Sequence, residues 1–202
     1  MIQPPERSPE RDAAITAVLP HVPEEGWTPT ALRRAAGPDA DLLFPGGAVD
    51  MVEAYSDLAD RRMEAAAAAE GLDGLRLPAR VRRVVAIRLE QSRPHKEAVR
   101  RGLAVLALPV HVGTAARCTA RTVDSIWFAA GDTSADFSWY TKRAILTGVY
   151  GATLLYWLRD TSPADEATLA FLDRRLAEVG RIGKVRREIE GVLQRLRPRR
   201  TV

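Results

Sequence analysis

At 202 residues the chain is long enough to bury a real core, either as one generous domain or as a small module fused to a medium one. Its single cysteine, Cys118, excludes an intramolecular disulfide and a thiolate metal cluster, and fits a reducing compartment. The net charge of +4 is mild but uneven, because ten Lys or Arg residues against four acids fall between 173 and 200; a basic region of this kind meets nucleic acid, an anionic membrane or an acidic partner, or is simply a solvated helical face.

The start, MIQPPERSPERD, is polar and lacks the apolar core of a secretory signal, so a cytosolic chain is expected. Ala, Leu, Arg and Glu dominate, with apolar residues at three- and four-residue spacings, and this predicts an all-α fold. Residues 10–21 carry Ile15, Val18, Leu19 and Val22 at helical spacing, with Pro23 expected to close the helix. In GWTPTALRRAAG, Thr28 can cap, Pro29 suits the first helical position and Gly37 terminates. A scrap of helix around Asp39 to Phe44 then breaks at Pro45-Gly46-Gly47, and a long helix follows from Ala48 to about Glu70. Further helices are expected from Pro78, after Pro94, and from beyond Pro109 to about Ala130. The last three are expected across 136–160, over 164–179, and over 184–197 after Gly180 and Gly183. The total is about ten helices. The longest apolar run, Ala144 to Leu158, is interrupted by Thr147 and Thr153 and is shorter than a membrane-spanning helix.

The first helices resemble the DNA-binding module of TetR-type regulators, in which a short third helix enters the major groove. Here that segment reads PDADLLFPGG. Asp39 and Asp41 would face phosphates with like charge, and Leu42, Leu43 and Phe44 offer base edges no donor. Arg33 and Arg34 give at most a weak, salt-sensitive attachment. The module is expected to be a degenerate helix-turn-helix that does not read nucleic acid.

Catalytic patterns are missing from the sequence. His21, His95 and His111 belong to no HExxH or ExxH pair, no serine sits in a GxSxG elbow, and Gly46-Gly47 is a turn rather than a phosphate loop. Cys118, on an Ala/Thr-rich helix, is expected in the core. The expectation is therefore a non-enzymatic protein with no metal and no cofactor.

Eight of the twelve aromatic residues lie between 127 and 157. Within 136–160, Ala144, Gly148, Gly151 and Ala152 form a small-residue ridge, and bulky residues cover most of the remaining circumference, so the helix is buried or pairs with a partner. Core packing accounts for Leu154 and Leu158 by itself. The sharper reading sets this helix between a dimer seam and a cavity for an apolar ligand, with Leu106, Trp127, Leu146, Val149, Tyr150, Leu154 and Trp157 as the lipid-binding set. Phe137, Trp139 and Tyr140 follow a polar loop and precede Lys142-Arg143; rings so placed suit a protein interface, while Asp136 can also cap the helix. The tail KVRREIEGVLQRLR sets Val185, Ile189, Val192, Leu193 and Leu196 on one stripe, with Arg186, Arg187, Arg195 and Arg197 mainly elsewhere. Such a helix either docks on the body or lies reversibly on an anionic membrane.

The run AGDTSADFSWYTKRAILTGVYGATLLYWLRDTSPADEATLAFLDRR, with LLFPGG and ADRRM upstream, resembles the ubiquinone (coenzyme Q) biosynthesis accessory proteins of the Coq-nine family. The resemblance is strongest from Asp124 to Arg175, with Ser138 where the family often has Asn. It implies a TetR-like fold without DNA binding, a homodimer, and a cavity for an isoprenoid quinone intermediate or other lipid. It also implies assistance to the di-iron hydroxylase that acts on demethoxyubiquinone. By resemblance, Asp136, Trp139 and Tyr140 match the hydroxylase-binding patch, and the last helix, through Val185, Arg186, Ile189, Val192, Leu193 and Leu196, matches a membrane-binding one. The implied organisation is a degenerate helix-turn-helix with the long connecting helix (1–70), a lipid-binding and dimerisation domain (71–182) and a basic amphipathic tail (183–202). Without a transit peptide, a bacterial, cytoplasmic chain peripheral to the inner membrane is expected. The alternative is a TetR-type transcriptional regulator with an apolar effector.

Overall fold

The computed structural model describes residues 3–132 and 138–195, with side chains described as far as residue 180. Ser8 and Pro9 open the first helix, α1 (Pro9–Val18): the Ser8 hydroxyl accepts from the Arg11 amide at 3.2 Å, and proline fills a position whose N–H would be orphaned. Pro23 does not end it; it starts a single-turn helix of its own, α2 (Val22–Glu25). Thr28 caps α3 (Pro29–Ala36) as expected, accepting from the Ala31 amide at 3.1 Å. The segment that would read DNA is only a 3-10 turn, Ala40–Leu43, with Leu42 75% exposed at its tip.

The Phe-Pro-Gly bend after that turn is held from inside. Arg11, 4% exposed, donates to the Leu43 carbonyl and to Asp50 at 2.7 Å, and its guanidinium lies 4.3 Å from the Phe44 ring centroid. These contacts offset the cost of burying its charge. Here it joins α1 to the start of α4 (Ala48–Glu70), which ends at Gly71 in the left-handed conformation.

α5 (Leu77–Ser92), α6 (Lys96–Leu106) and α7 (Val112–Ala129) follow, with 3-10 turns at Arg93–His95 and Pro109–His111; α8 (Ser138–Trp157) and α9 (Glu166–Arg195) complete the chain. Nine α-helices are thus seen among the described residues, with no strand. One expectation is corrected: the helices placed at 164–179 and 184–197 are a single helix, because Gly180 and Gly183 only weaken a helix by about 1 kcal/mol each and no proline interrupts it.

Two apolar cores share α4. The first gathers α1, α3 and the start of α4 around Ile15, Leu19, Trp27, Leu32 and Met51; the second gathers its later turns with α5, α7, α8 and α9 around Met63, Val84, Ile126, Trp157 and Leu172. α4 packs most extensively on α7 and then on α5, while α8 packs on α9 and α7. The junction between α8 and α9 is tied to α6: Lys96 Nζ donates to the Asp160 carbonyl at 2.7 Å and lies 4.8 Å from the Trp157 ring centroid, and Arg100 donates to the Leu158 carbonyl. No single helix among the described residues is long and apolar enough to cross a membrane.

Candidate functional site

Where α4, α5, α6, α7 and α8 converge, their side chains leave a partly open cavity of about 90 Å³. Val52, Leu89, Val99, Leu103, Leu106 and Leu154 form its apolar walls, and Tyr55, Arg88, Ser92, Cys118, Thr122 and Tyr150 bring polar groups to it. Gly102 lets α6 close against α4, since a Cβ there would sit 3.4 Å from Trp27 Nε1 and Val52 Cγ1.

Arg88, Ser92 and Thr122 join Asp60 in one buried network. Arg88 Nε donates to Asp60 Oδ1 at 3.1 Å and Nη1 to Ser92 Oγ at 2.8 Å, while Thr122 Oγ1 donates to Asp60 Oδ2 at 2.9 Å. Burial pushes the Asp60 carboxyl up to about 6, against the opposing pull of Arg88 and Thr122. Burial likewise raises the Tyr150 phenol, with Arg88 pulling it back, and lifts the Cys118 thiol to about 11. A thiol so raised is no nucleophile near neutral pH, in keeping with a core cysteine. Among the described residues no cluster of His, Cys, Asp or Glu could hold a metal ion.

Of the seven residues expected to meet lipid, Leu106, Tyr150 and Leu154 line this cavity. Leu146, Val149 and Trp157 are buried in the second core instead, and Trp127 is half-buried beside it, 5.6 Å from Lys142 Nζ. The polar network escaped sequence reasoning, although one signal was present. Arg88 interrupts the apolar run VVAIRLE at the spacing of its buried face, four residues after Val84 and three after Val85.

The aromatic patch at the start of α8 is divided. Trp139 is half-buried, with the Arg143 guanidinium 3.7 Å from its ring centroid, and Arg143 is in turn paired with Asp124. Tyr140 packs edge-on to Trp139 at 4.7 Å and is 71% exposed. Phe128, near the end of α7, is 74% exposed. Asp136 and Leu196 lie outside the described residues, as do the side chains of Val185, Arg186, Ile189, Val192 and Leu193.

The small-residue ridge on α8 faces outward. Ala144, Gly148 and Ala152 are exposed, a Cβ on Gly148 or Gly151 would meet nothing within 4 Å, and Ile145, Leu155 and Tyr156 add exposed apolar surface. In the N-terminal module, Arg33 pairs with Asp41 at 2.6 Å and Arg34 with Glu25 at 2.8 Å, so the two cations nearest the 3-10 turn are offset within the module.

The family model described as COQ9 matches residues 112–183. The chain is similar to the mitochondrial ubiquinone biosynthesis protein COQ9-B of Xenopus laevis, 31% identical over 198 residues that cover 90% of this chain and 68% of that protein. It is 30% identical to the mitochondrial coq9 of Schizosaccharomyces pombe (85% and 70% covered) and 29% identical to the mitochondrial COQ9 of Rattus norvegicus (87% and 60% covered). The chain thus spans between three fifths and seven tenths of these relatives' lengths. Their mitochondrial names lend no support to the expected cytoplasmic, bacterial setting. Among solved structures, a TetR transcriptional regulator from Nitrosomonas europaea ATCC 19718 superposes with a TM-score of 0.68 at 24% identity, over 85% of this chain and 98% of that one; at that identity the likeness speaks for the fold alone.

Proposed function

Because the chain belongs to the COQ9 family, we propose that it serves ubiquinone biosynthesis as a non-enzymatic accessory protein that binds an isoprenoid quinone intermediate or other lipid and offers it to a membrane-associated hydroxylase. The observation that carries this reading is the cavity among α4–α8, apolar on most sides and polar at one place, which suits a ligand with a ring and an apolar tail. Exposing such a tail to water is costly, so transfer between bilayer and enzyme needs a protein that shields it.

At about 90 Å³ the cavity is smaller than the roughly 150 Å³ that admits benzene in an engineered protein core. A long-tailed ligand therefore enters by displacing a wall, and the C-terminal half of α6 is the wall to move. Its first turns are tied to the α8–α9 junction through Lys96 and Arg100, whereas Leu103 and Leu106 are only partly buried. In this reading the outward ridge of α8 pairs with that of a second copy to form a homodimer, Tyr140 and Trp139 with Asp136 meet the hydroxylase, and the basic tail meets the membrane surface. No reading of DNA is proposed, and Arg33 and Arg34 are already offset by Asp41 and Glu25.

Native mass spectrometry of the purified protein, followed by solvent extraction, tests the reading. A dimer carrying an isoprenoid or phospholipid is expected. A chain that emerges empty and takes up no added long-tailed quinone would overturn it.

A further inference from the structure

Resting on the lipid-binding reading, we propose that the Arg88–Asp60 pair, with the Tyr55 and Tyr150 phenols, forms a head-group site that selects a neutral ring bearing oxygen substituents over a plain hydrocarbon or an anionic head. A guanidinium carries five N–H donors in a fixed fork. Arg88 spends one on Asp60 and one on Ser92, and its remaining donors meet no hydrogen-bonding partner among the described residues. Arg88 is nevertheless 7% exposed and lines the cavity. Tyr55 and Tyr150 also line it, and no hydrogen bond of either hydroxyl is seen among the described residues. A nearly buried cation with unspent donors, on a cavity that two tyrosines also line, offers hydrogen bonds to a ligand in otherwise apolar surroundings.

Charge decides which ligand fits. The Asp60 carboxylate cancels the Arg88 charge at 3.1 Å, and the acids nearby are compensated in turn. Asp57 is held by Arg7 and Arg61, and Glu53 by Arg117 and Arg121. Arg88 and Asp60 therefore form a neutral pair that still offers unspent donors to the cavity. A phosphate or carboxylate would bring a buried charge with no counter-ion of its own, whereas a carbonyl, phenol or ether oxygen accepts hydrogen bonds at no such cost. The valines and leucines opposite leave the faces and tail of the ring in apolar surroundings.

The test equilibrates the full chain with an equimolar mixture of 2-decyl-1,4-benzoquinone, decylbenzene and decyl phosphate, and quantifies what survives rapid desalting. The wild-type chain is expected to retain the quinone about tenfold over either competitor, as hydrogen bonds from a charged donor imply. Asp60→Asn/Arg88→Met, which removes both charges together and so leaves neither unpaired, should abolish that preference while keeping decylbenzene retention. Tyr150→Phe, which keeps the ring, should reduce the preference several-fold and provides the readout if the double variant does not fold. A preference surviving in both variants, equal retention of all three probes by the wild type, or preferential retention of decyl phosphate would each sink the head-group site and leave lipid binding standing. Retention of no probe by the wild type would remove the lipid-binding reading itself.

Discussion

Asp60 and Tyr140 show what single residues decide. Asp60 has its carboxyl raised from 3.8 to about 6, chiefly by burial. The folded state then holds a proton that the unfolded chain has released, so this residue makes stability fall as pH rises from about 4 to about 6 and contributes no further slope above that. The change is on the order of 2–3 kcal/mol at 1.36 kcal/mol per pH unit. Subtracting the denaturation curves of Asp60→Asn from those of the wild type at each pH should isolate this slope; a difference flat across pH 4–6 would show that the carboxyl titrates normally. Tyr140 is the cleaner probe of the proposed partner surface. Its ring is 71% exposed, so Tyr140→Ala should leave the melting temperature unchanged yet weaken the proposed hydroxylase complex tenfold or more, as loss of an interface hot spot does. Trp139→Ala, by contrast, uncovers Arg143 and should lower both stability and affinity. Surface plasmon resonance beside a thermal melt separates the two, and unchanged affinity in Tyr140→Ala would remove that residue from the interface.

At the scale of elements, the turn between α8 and α9 rests on one carboxylate. Asp160 accepts from the Thr168 amide at 2.8 Å, from the Thr168 hydroxyl at 2.5 Å and from the Ser162 amide at 2.8 Å. Burial pushes its carboxyl up, but these bonds outweigh burial and hold it well below the usual carboxylate range. Its contribution is therefore complete above pH 4 and is lost as pH falls below that, the opposite sign to Asp60. Asp160→Ala should cost about 1–2 kcal/mol near neutral pH, the range of a lost helix cap. The gap to the wild type should narrow in acid, which urea titrations at pH 7 and pH 3 would reveal. The helices themselves were largely legible: Thr28, Pro29, the Phe-Pro-Gly bend and the limits of α4 all declare themselves by capping and turn chemistry. The continuity of α9 was not, because a lone glycine weakens a helix without saying whether packing will carry the chain across it.

For the molecule as a whole, the question is where the outward face of α8 goes. Gly148 has open space around the position of a Cβ, so Gly148→Arg should leave the isolated chain as stable as the wild type, or slightly more so through better helix propensity. If α8 forms the seam, the same change should convert the dimer into monomer by steric and charge repulsion. Sedimentation velocity distinguishes the cases, and a wild-type monomer, or a variant dimer of unchanged affinity, would place the seam elsewhere. The scaffold keeps a TetR-like fold, while its would-be reading segment is a 3-10 turn flanked by offset charges.

The sequence by itself determined the helical class, the capped start of α3, the limits of α4 and the family, because these depend on periodicity, on local hydrogen bonding and on an extended matching run. It also marked 127–157 as the ring-rich region. It did not say which rings were which: on a helix apolar on most sides, Tyr156 and Trp157 are neighbours, yet one is 38% exposed and the other fully buried. Only the tertiary structure could set Leu106 and Leu154 across a cavity, send Leu146 and Trp157 into the core, and bring Arg88 to Asp60 on another helix 28 residues away. Such pairings depend on how α4, α5 and α8 cross, and crossing is fixed by the mutual packing of side chains that no single segment contains.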